Sequence, residues 1–465
     1  MAKIPAGPQT QPRSRPPAIG RLLNLPEVVQ LVQDHGHRRV VAAVRSAREL
    51  TADPGPGLEA RIAARAAALL GPRRRLLPVI NGTGVVVHTN LGRAPIAAAA
   101  ARRAVELAGR YTNLELDLEE GGRGDRQDLL STLLCQLSGA EAALVVNNGA
   151  AALLLALAGL CRGRQVLVSR GEAVEIGGGF RIPEILRLSG ARLVDVGTTN
   201  RTRLSDYRDA CGPRTAAFLR VHASNFRIQG FTARVPGARL AELAHRRGVW
   251  LFEDLGSGLM GAPTAATPGE VPLARSVAAG ADLVMASGDK LLGASQAGLI
   301  VGRAELLGRL RRHPLLRALR PDKLQLAVLE ETLLCHANPG RLEEVPVWRM
   351  LRASPAQLRR RCRGWLGTLA QAGVAAELLP LRGVVGGGAA PGAGLDSFGI
   401  VVRHPRPRWL RAQLLRGEPP VLGLERQGGV VIDARTVLPD EDRQLLEAIL
   451  EALAGPGGGA AGATP

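Results

Sequence analysis

Two periodicities divide the chain. From Leu25 to about Leu70 apolar positions recur every three or four residues, through LPEVVQLVQ, VVAAVRSAREL and LEARIAARAAALL, which predicts amphipathic helices. Proline and glycine at 53–57 break the last two apart. From about 79 onward the apolar residues gather into short, mostly unbroken runs: ALVVN (143–147), QVLVS (165–169), RLVDV (192–196), AAFLRV (216–221), VWLFED (249–254), DLVMAS (282–287) and AGLIVG (297–302). Such runs are how parallel strands read when both faces of their sheet are covered. The helix-length stretches between them predict a doubly wound α/β sheet, whose ligands sit beyond the carboxyl ends of the strands. DKLQLAVLEETLLCH (322–336) reads as a long connecting helix, and FGIVVR and GVVID as strands of a smaller α+β region. The expected divisions are a Pro/Arg-rich arm (1–20) with basic helices up to 75, a large α/β domain over 76–325, a linking helix with a small domain over 326–453, and a disordered tail over 454–465.

Composition narrows the picture. No apolar run reaches the ~18 residues of a membrane span, and the N-terminus lacks the apolar stretch of a secretory signal. Five scattered cysteines without a CxxC pair suit a reducing cytoplasm and neither a disulfide framework nor a cysteine-rich zinc site. The formal charge of +19 first suggests a polyanionic partner. Yet lysine occurs only at 3, 290 and 323, so 57 of the 60 basic residues are arginine, which is equally the mark of a GC-rich coding bias. The first 80 residues hold 13 basic and 5 acidic side chains, a denser charge than the remainder. With only 3% aromatic residues, recognition of phosphate and shape suits the chain better than base stacking. There is no P-loop and no HExxH, and no metal is expected.

Scarce lysine makes its survivors informative. Lysine can lose its proton and condense with an aldehyde, which arginine cannot do. Lys3 lies in the arm and Lys323 opens a helix, but Lys290 follows the strand DLVMAS in a small glycine-containing turn. Three features converge on it. The strand ALVVN runs into Asn148, Gly149 and Ala150 at a helix start, where free N–H groups suit a cofactor phosphate. Ser287 adds a hydroxyl to the same phosphate. Asp254 ends the strand VWLFED, where a carboxylate would keep a pyridinium nitrogen protonated. In this order the elements resemble the fold-type I pyridoxal-phosphate enzymes, the aspartate aminotransferase fold.

Longer motifs narrow the resemblance. NGTGVVVHTNLGRAP (81–95), NLELDLEEGGRGDRQ (113–127), VVNNGAAALLLAL (145–157), VHASNFRIQGF (221–231), EDLGSG (253–258), SGDKLLGASQAGLIVG (287–302) and RHPLLRALRPDKLQLAVLE (312–330) are similar to bacterial selenocysteine synthases, the L-seryl-tRNA(Sec) selenium transferases. The resemblance spans about Leu25 to 450. It implies that Lys290 carries pyridoxal 5'-phosphate, that seryl-tRNA(Sec) loses its β-hydroxyl as water to give an aminoacrylyl-tRNA, and that selenium from selenophosphate adds to the β-carbon. His222 would neighbour the cofactor ring, a satisfied core histidine being the alternative. Selenophosphate would be clamped by Arg317 and Arg320, whose spacing suggests one helix face; Arg93 and Arg126 are further candidates. The resemblance also implies that the N-terminal helices grip the tRNA, and that the enzyme is a cytoplasmic homo-oligomer, a ring of dimers forming a homodecamer. Gly293-Ala294-Ser295-Gln296 departs from the family's usual Gly-Gly-Pro-Gln. The rival readings are a pyridoxal-phosphate enzyme acting on a free amino acid or amino sugar, and a basic RNA-binding protein without catalysis.

Overall fold

The computed structural model describes residues 17–51, 57–71, 76–176, 179–222, 226 and 228–454. Most of the arm, most of the Pro/Gly break at 53–57, and the tail after Ala454 lie outside the described residues. So do positions 177–178, 223–225 and 227, the latter four within the VHASNFRIQGF motif. The chain forms two compact units, Met1–Pro78 and Val79–Pro465.

The first unit is helical. α1 (Ile19–Leu23), α2 (Pro26–His35), α3 (His37–Leu50) and α4 (Leu58–Leu70) bury Leu22, Val28, Val40, Val44 and Ile62 against one another. The expected arm is thus shorter than its Pro/Arg composition suggests, because Ile19 already begins a helix that seals this core. Arg38, Arg39 and Arg45 of α3 remain exposed on its polar side.

The second unit is built on a seven-stranded sheet. In chain order its strands are β1 (Ala142–Val146), β2 (Gln165–Ser169), β3 (Arg192–Val196), β4 (Thr215–Val221), β5 (Trp250–Gly256), β6 (Leu283–Ser287) and β7 (Gly298–Gly302). They lie side by side as β1-β7-β6-β5-β4-β2-β3. Six run parallel, each in place of an apolar run read from the sequence. The sheet is mainly parallel, and β7 runs antiparallel to both β1 and β6. The cause is length: residues 288–297 are too few for a crossover helix, so the chain returns as a hairpin. Side chains alternate between two cores. Ala143, Val145, Leu251 and Val284 face one helix layer, and Leu144, Val146, Phe252 and Leu283 the other.

Three helices preceding or following these strands matter for the site: α5 (Ala98–Ala108), α6 (Asp128–Ser138) and α7 (Gly149–Leu160), the last nearly all apolar and buried. The connecting helix runs Lys323–Ala337, capped by Asp322, whose carboxylate accepts from the N–H groups of Leu324 and Gln325. Beyond it a four-stranded antiparallel sheet orders β8 (Ala376–Val384), β9 (Gly394–Arg403), β10 (Leu424–Arg426) and β11 (Gly429–Asp433) as β8-β9-β11-β10. Helices Pro355–Gln371, Pro407–Arg416 and Asp442–Ala454 cover one face of it through Trp365, Leu410 and Ile449. No helix among the described residues is long and apolar enough to cross a membrane.

Candidate active site

The carboxyl ends of β1, β5 and β6 meet around Lys290. The hairpin after β6 is stapled by bonds from the Gly288 N–H to the Ala297 carbonyl (2.8 Å) and from the Ala294 N–H to the Gly288 carbonyl (2.9 Å). Lys290 is 5% exposed. A Cβ added to Gly256 would lie 3.5 Å from its Nζ, an ordinary contact, so the amine rests beside the end of β5. Gly256 has φ +66° and follows a register shift between Asp254 and itself, which bends the end of β5 toward the lysine. Burial pushes the Lys290 ammonium below the usual lysine range, with Asp254 the first charge opposing that shift and Arg93 favouring it. A buried amine held toward its neutral form is a nucleophile.

Asp254 pairs in register with Val221 of β4 and Met285 of β6. Burial raises its carboxyl to about 6; the nearby Lys290 charge and the Gly256 N–H pull the other way. The Asp254 carbonyl accepts from the His222 N–H (2.8 Å), tying the histidine to the same strand end.

The residues expected to hold the phosphate lie together. Asn148 caps α7, its side chain accepting from the Ala151 N–H (2.8 Å), a contact worth about 1 kcal/mol. Gly149 lies so close to β6 that a Cβ there would stand 2.4 Å from Ser287 Oγ. Ser287 and Gly298 pair across the hairpin, and a Cβ on Gly298 would meet the Asn148 carbonyl at 2.1 Å. Strand termini of β1, β6 and β7 therefore converge on the first turn of α7, where Asn148 takes the Ala151 N–H, Ser287 Oγ stands alongside, and the N–H groups of Gly149 and Ala150 remain to face an anion.

The arginines fall into two groups. Arg93, at φ +67°, forms an ion pair with Asp289 (2.6 Å) beside Lys290. Arg126 donates to Glu115 (2.5 Å) and to the Pro321 carbonyl (2.8 Å), and Arg320 reaches the same Glu115 oxygen at 3.3 Å. Arg317 is exposed with no such partner among the described residues. The expected shared helix face does not form, because the short helix Leu315–Leu319 ends before Arg320, which leaves it in extended conformation. The Leu319 carbonyl accepts from the Asn147 N–H (2.8 Å), so the segment abuts the end of β1.

Sequence reasoning missed several acidic residues. Glu270, 2% exposed, accepts from His222 Nε2 at 3.1 Å. Glu253 takes Arg220 on one oxygen and the Ser276 hydroxyl (2.5 Å) on the other. Glu172 accepts from the Val221 N–H (3.2 Å), and burial raises its carboxyl. Their partners are 23–49 residues away in sequence, so no local motif marks them. A cleft of about 230 Å³ opens beside His222, walled by Ser169, Thr202, Thr232, Arg234 and Pro268.

These residues fit pyridoxal phosphate. Buried side-chain atoms without a partner among the described residues include Ser257 Oγ, Glu270 Oε2 and Asp289 Oδ1, on residues that adjoin Gly256, His222 and Lys290. The cradle at Gly149 is space that any side chain would fill. Lys290 offers an amine of the kind an aldehyde requires, and Asp254 a carboxylate of the kind a ring nitrogen requires.

The family model described as L-seryl-tRNA selenium transferase matches residues 79–438, and one described as selenocysteine synthase N terminal matches 14–49. The L-seryl-tRNA(Sec) selenium transferase of Moorella thermoacetica is 45% identical over 459 residues, covering 94% of this chain and 96% of that protein. That of Geobacter sulfurreducens is 44% identical, covering 94% and 98%. Among solved structures, D-glucosaminate-6-phosphate ammonia-lyase shares the fold, with a TM-score of 0.58 at 21% identity over 81% of this chain and 96% of that one. Lys290, Asp254 and the first turn of α7 thus lie in a sequence matched almost end to end, and the chain belongs to the L-seryl-tRNA selenium transferase family.

Proposed function

We propose that the chain converts seryl-tRNA(Sec) to selenocysteinyl-tRNA(Sec), replacing the seryl β-hydroxyl with selenium from selenophosphate. The observation that carries this is the buried Lys290 amine beside Gly256, with Asp254 as its first charge partner, in a chain 45% identical to a named transferase along 94% of its length. Pyridoxal phosphate, when bound, supplies an electron sink that acidifies the Cα–H of an amino substrate. Lys290 would hold it at the aldehyde carbon, Asp254 at the ring nitrogen, and the first turn of α7 with Ser287 at the phosphate.

Lys290, once released from the cofactor by the substrate's amine, would also serve as the base. Its buried amine takes the Cα proton and returns it after selenium has added. Asp254 would act by charge: a carboxylate in a low-dielectric strand end would keep a proton on a pyridinium nitrogen held against it. Arg320 and Arg126 are already oriented by Glu115, and Arg317 stands free; together they offer guanidinium donors to the oxyanions of selenophosphate. Arg93, held by Asp289, adds positive charge next to Lys290. The exposed arginines of the N-terminal helices suit the tRNA phosphates, a role in keeping with the match of residues 14–49. A homo-oligomer, with the homodecameric ring implied by the resemblance, is part of the same reading.

Action on a free amino acid or amino sugar is not favoured: the likeness to the ammonia-lyase, at 21% identity, is one of fold alone. The test is selenium incorporation from selenophosphate into charged tRNA(Sec), set against turnover of free serine. Lys290→Ala is expected to lose both product formation and the visible absorbance of bound cofactor. Retained absorbance in that variant, or turnover of free serine with no tRNA product, would overturn the assignment.

A further inference from the structure

Glu270 stands outside every motif in the sequence, yet it is bound to the site at two points. Its Oε1 accepts from His222 Nε2 (3.1 Å) and from the backbone N–H of Ala390 (2.5 Å). Ala390 is 2% exposed and has φ +44°, in the turn between β8 and β9 of the second sheet. A backbone N–H can only donate, and as a carboxylate Glu270 has only acceptors to offer, so both contacts on Oε1 are made by donors. The imidazole nitrogen facing that same oxygen must then carry its proton. This fixes the tautomer: Nε2 bears hydrogen, and Nδ1 of the neutral ring keeps its lone pair. No partner for Nδ1 is present among the described residues. His222 is bound to Asp254 through its own backbone N–H, so the ring's position is set from two sides.

We propose that Glu270 is a positioning residue: it holds the His222 ring as the Nε2–H tautomer, with Nδ1 presented as a hydrogen-bond acceptor at the cofactor ring and its substrate. This rests on the reading of Lys290 and Asp254 as the cofactor site. It adds a consequence for the fold, since the same oxygen holds the β8–β9 turn, and the second sheet thereby registers the histidine of the first. Glu270 Oε2 is buried without a partner among the described residues, which leaves one acceptor for a donor arriving with the ligand.

Three full-length variants, Glu270→Ala, Glu270→Gln and His222→Ala, test this. The first readout needs no cofactor: in protein labelled with 15N-histidine, the ring nitrogens of residue 222, assigned by the His222→Ala spectrum, report the tautomer. Wild type is expected to show a protonated Nε2 and bare Nδ1, and Glu270→Ala a mixture of tautomers. The second readout is the visible absorption of the cofactor-loaded enzyme, expected to shift in Glu270→Ala and to be held in Glu270→Gln, whose carbonyl still accepts from both donors. Turnover should fall by about 10–100-fold in Glu270→Ala and recover to within about threefold of wild type in Glu270→Gln. Adding Glu270→Ala to His222→Ala should cost little more, since both act through one ring. A wild-type tautomer in Glu270→Ala overturns the proposal, as does a loss of turnover equal in both Glu270 variants with an unshifted spectrum. A wild type that takes up no cofactor would defeat the functional reading instead, and the tautomer measurement would still decide the role of Glu270.

Discussion

Gly149 leaves no room for a methyl group. An added Cβ would meet Ser287 Oγ at 2.4 Å, whereas Ser287 Cβ lies at 3.6 Å, an ordinary contact. Gly149→Ala is therefore expected to cost about 1–3 kcal/mol of stability by overpacking and to weaken cofactor binding by tenfold or more. Adding Ser287→Ala removes the clashing oxygen and should restore the melting temperature, but not cofactor affinity, because the phosphate has then lost a hydroxyl donor. Undiminished affinity in Gly149→Ala would place the phosphate elsewhere. Asp254 makes a prediction in pH. Its carboxyl, raised to about 6 by burial, binds a proton more tightly folded than unfolded. In cofactor-free protein Asp254 therefore contributes a loss of stability as pH rises from about 4 through 6, and Asp254→Asn should remove that contribution, on the order of 3 kcal/mol. Unfolding midpoints at several pH values measure it, and an identical slope in the variant contradicts it.

Elements were legible in proportion to how locally they are determined. The seven strands appear in the sequence as apolar runs because helices cover both faces of their sheet, so residues such as Leu144 and Val145 are both buried. The direction of β7 was not written in its own residues but in the brevity of the link before it. Lys290, Asp254 and the Asn148–Ala150 turn were legible because each sits at a strand end, where composition and position coincide. Glu270 was not, since its meaning lies in partners at 222 and 390. Spacing misled at Arg317 and Arg320: three residues apart suggests one helix face, but the helix ends between them. That break separates their expected behaviour. Arg320→Ala should raise the KM for selenophosphate and also loosen Arg126, which shares Glu115, whereas Arg317→Ala should change only the KM. Steady-state kinetics with each variant distinguishes the two, and equal effects would mean that Glu115 does not couple them. The departure at Ala294-Ser295 is accommodated, with the Ser295 hydroxyl donating to the Gln325 carbonyl at 3.1 Å.

The whole chain divides at Pro78 into units with separate cores. Removal of residues 1–75 is expected to leave the cofactor absorbance of the larger unit intact and to reduce tRNA affinity at least tenfold, with a shallower dependence on salt. Binding isotherms at two salt concentrations test this, and equal affinity without the helices would move the tRNA contacts onto the α/β unit. The hairpin that carries Lys290 has a consequence for motion. Its flanking strands are inner members of the sheet, its base is stapled, and residues 288–294 are buried throughout. The backbone at 290 is thus a fixed pivot, and, on the proposed role of Lys290, withdrawing the amine and bringing it back to the same place falls to the lysine's flexible hydrocarbon stem.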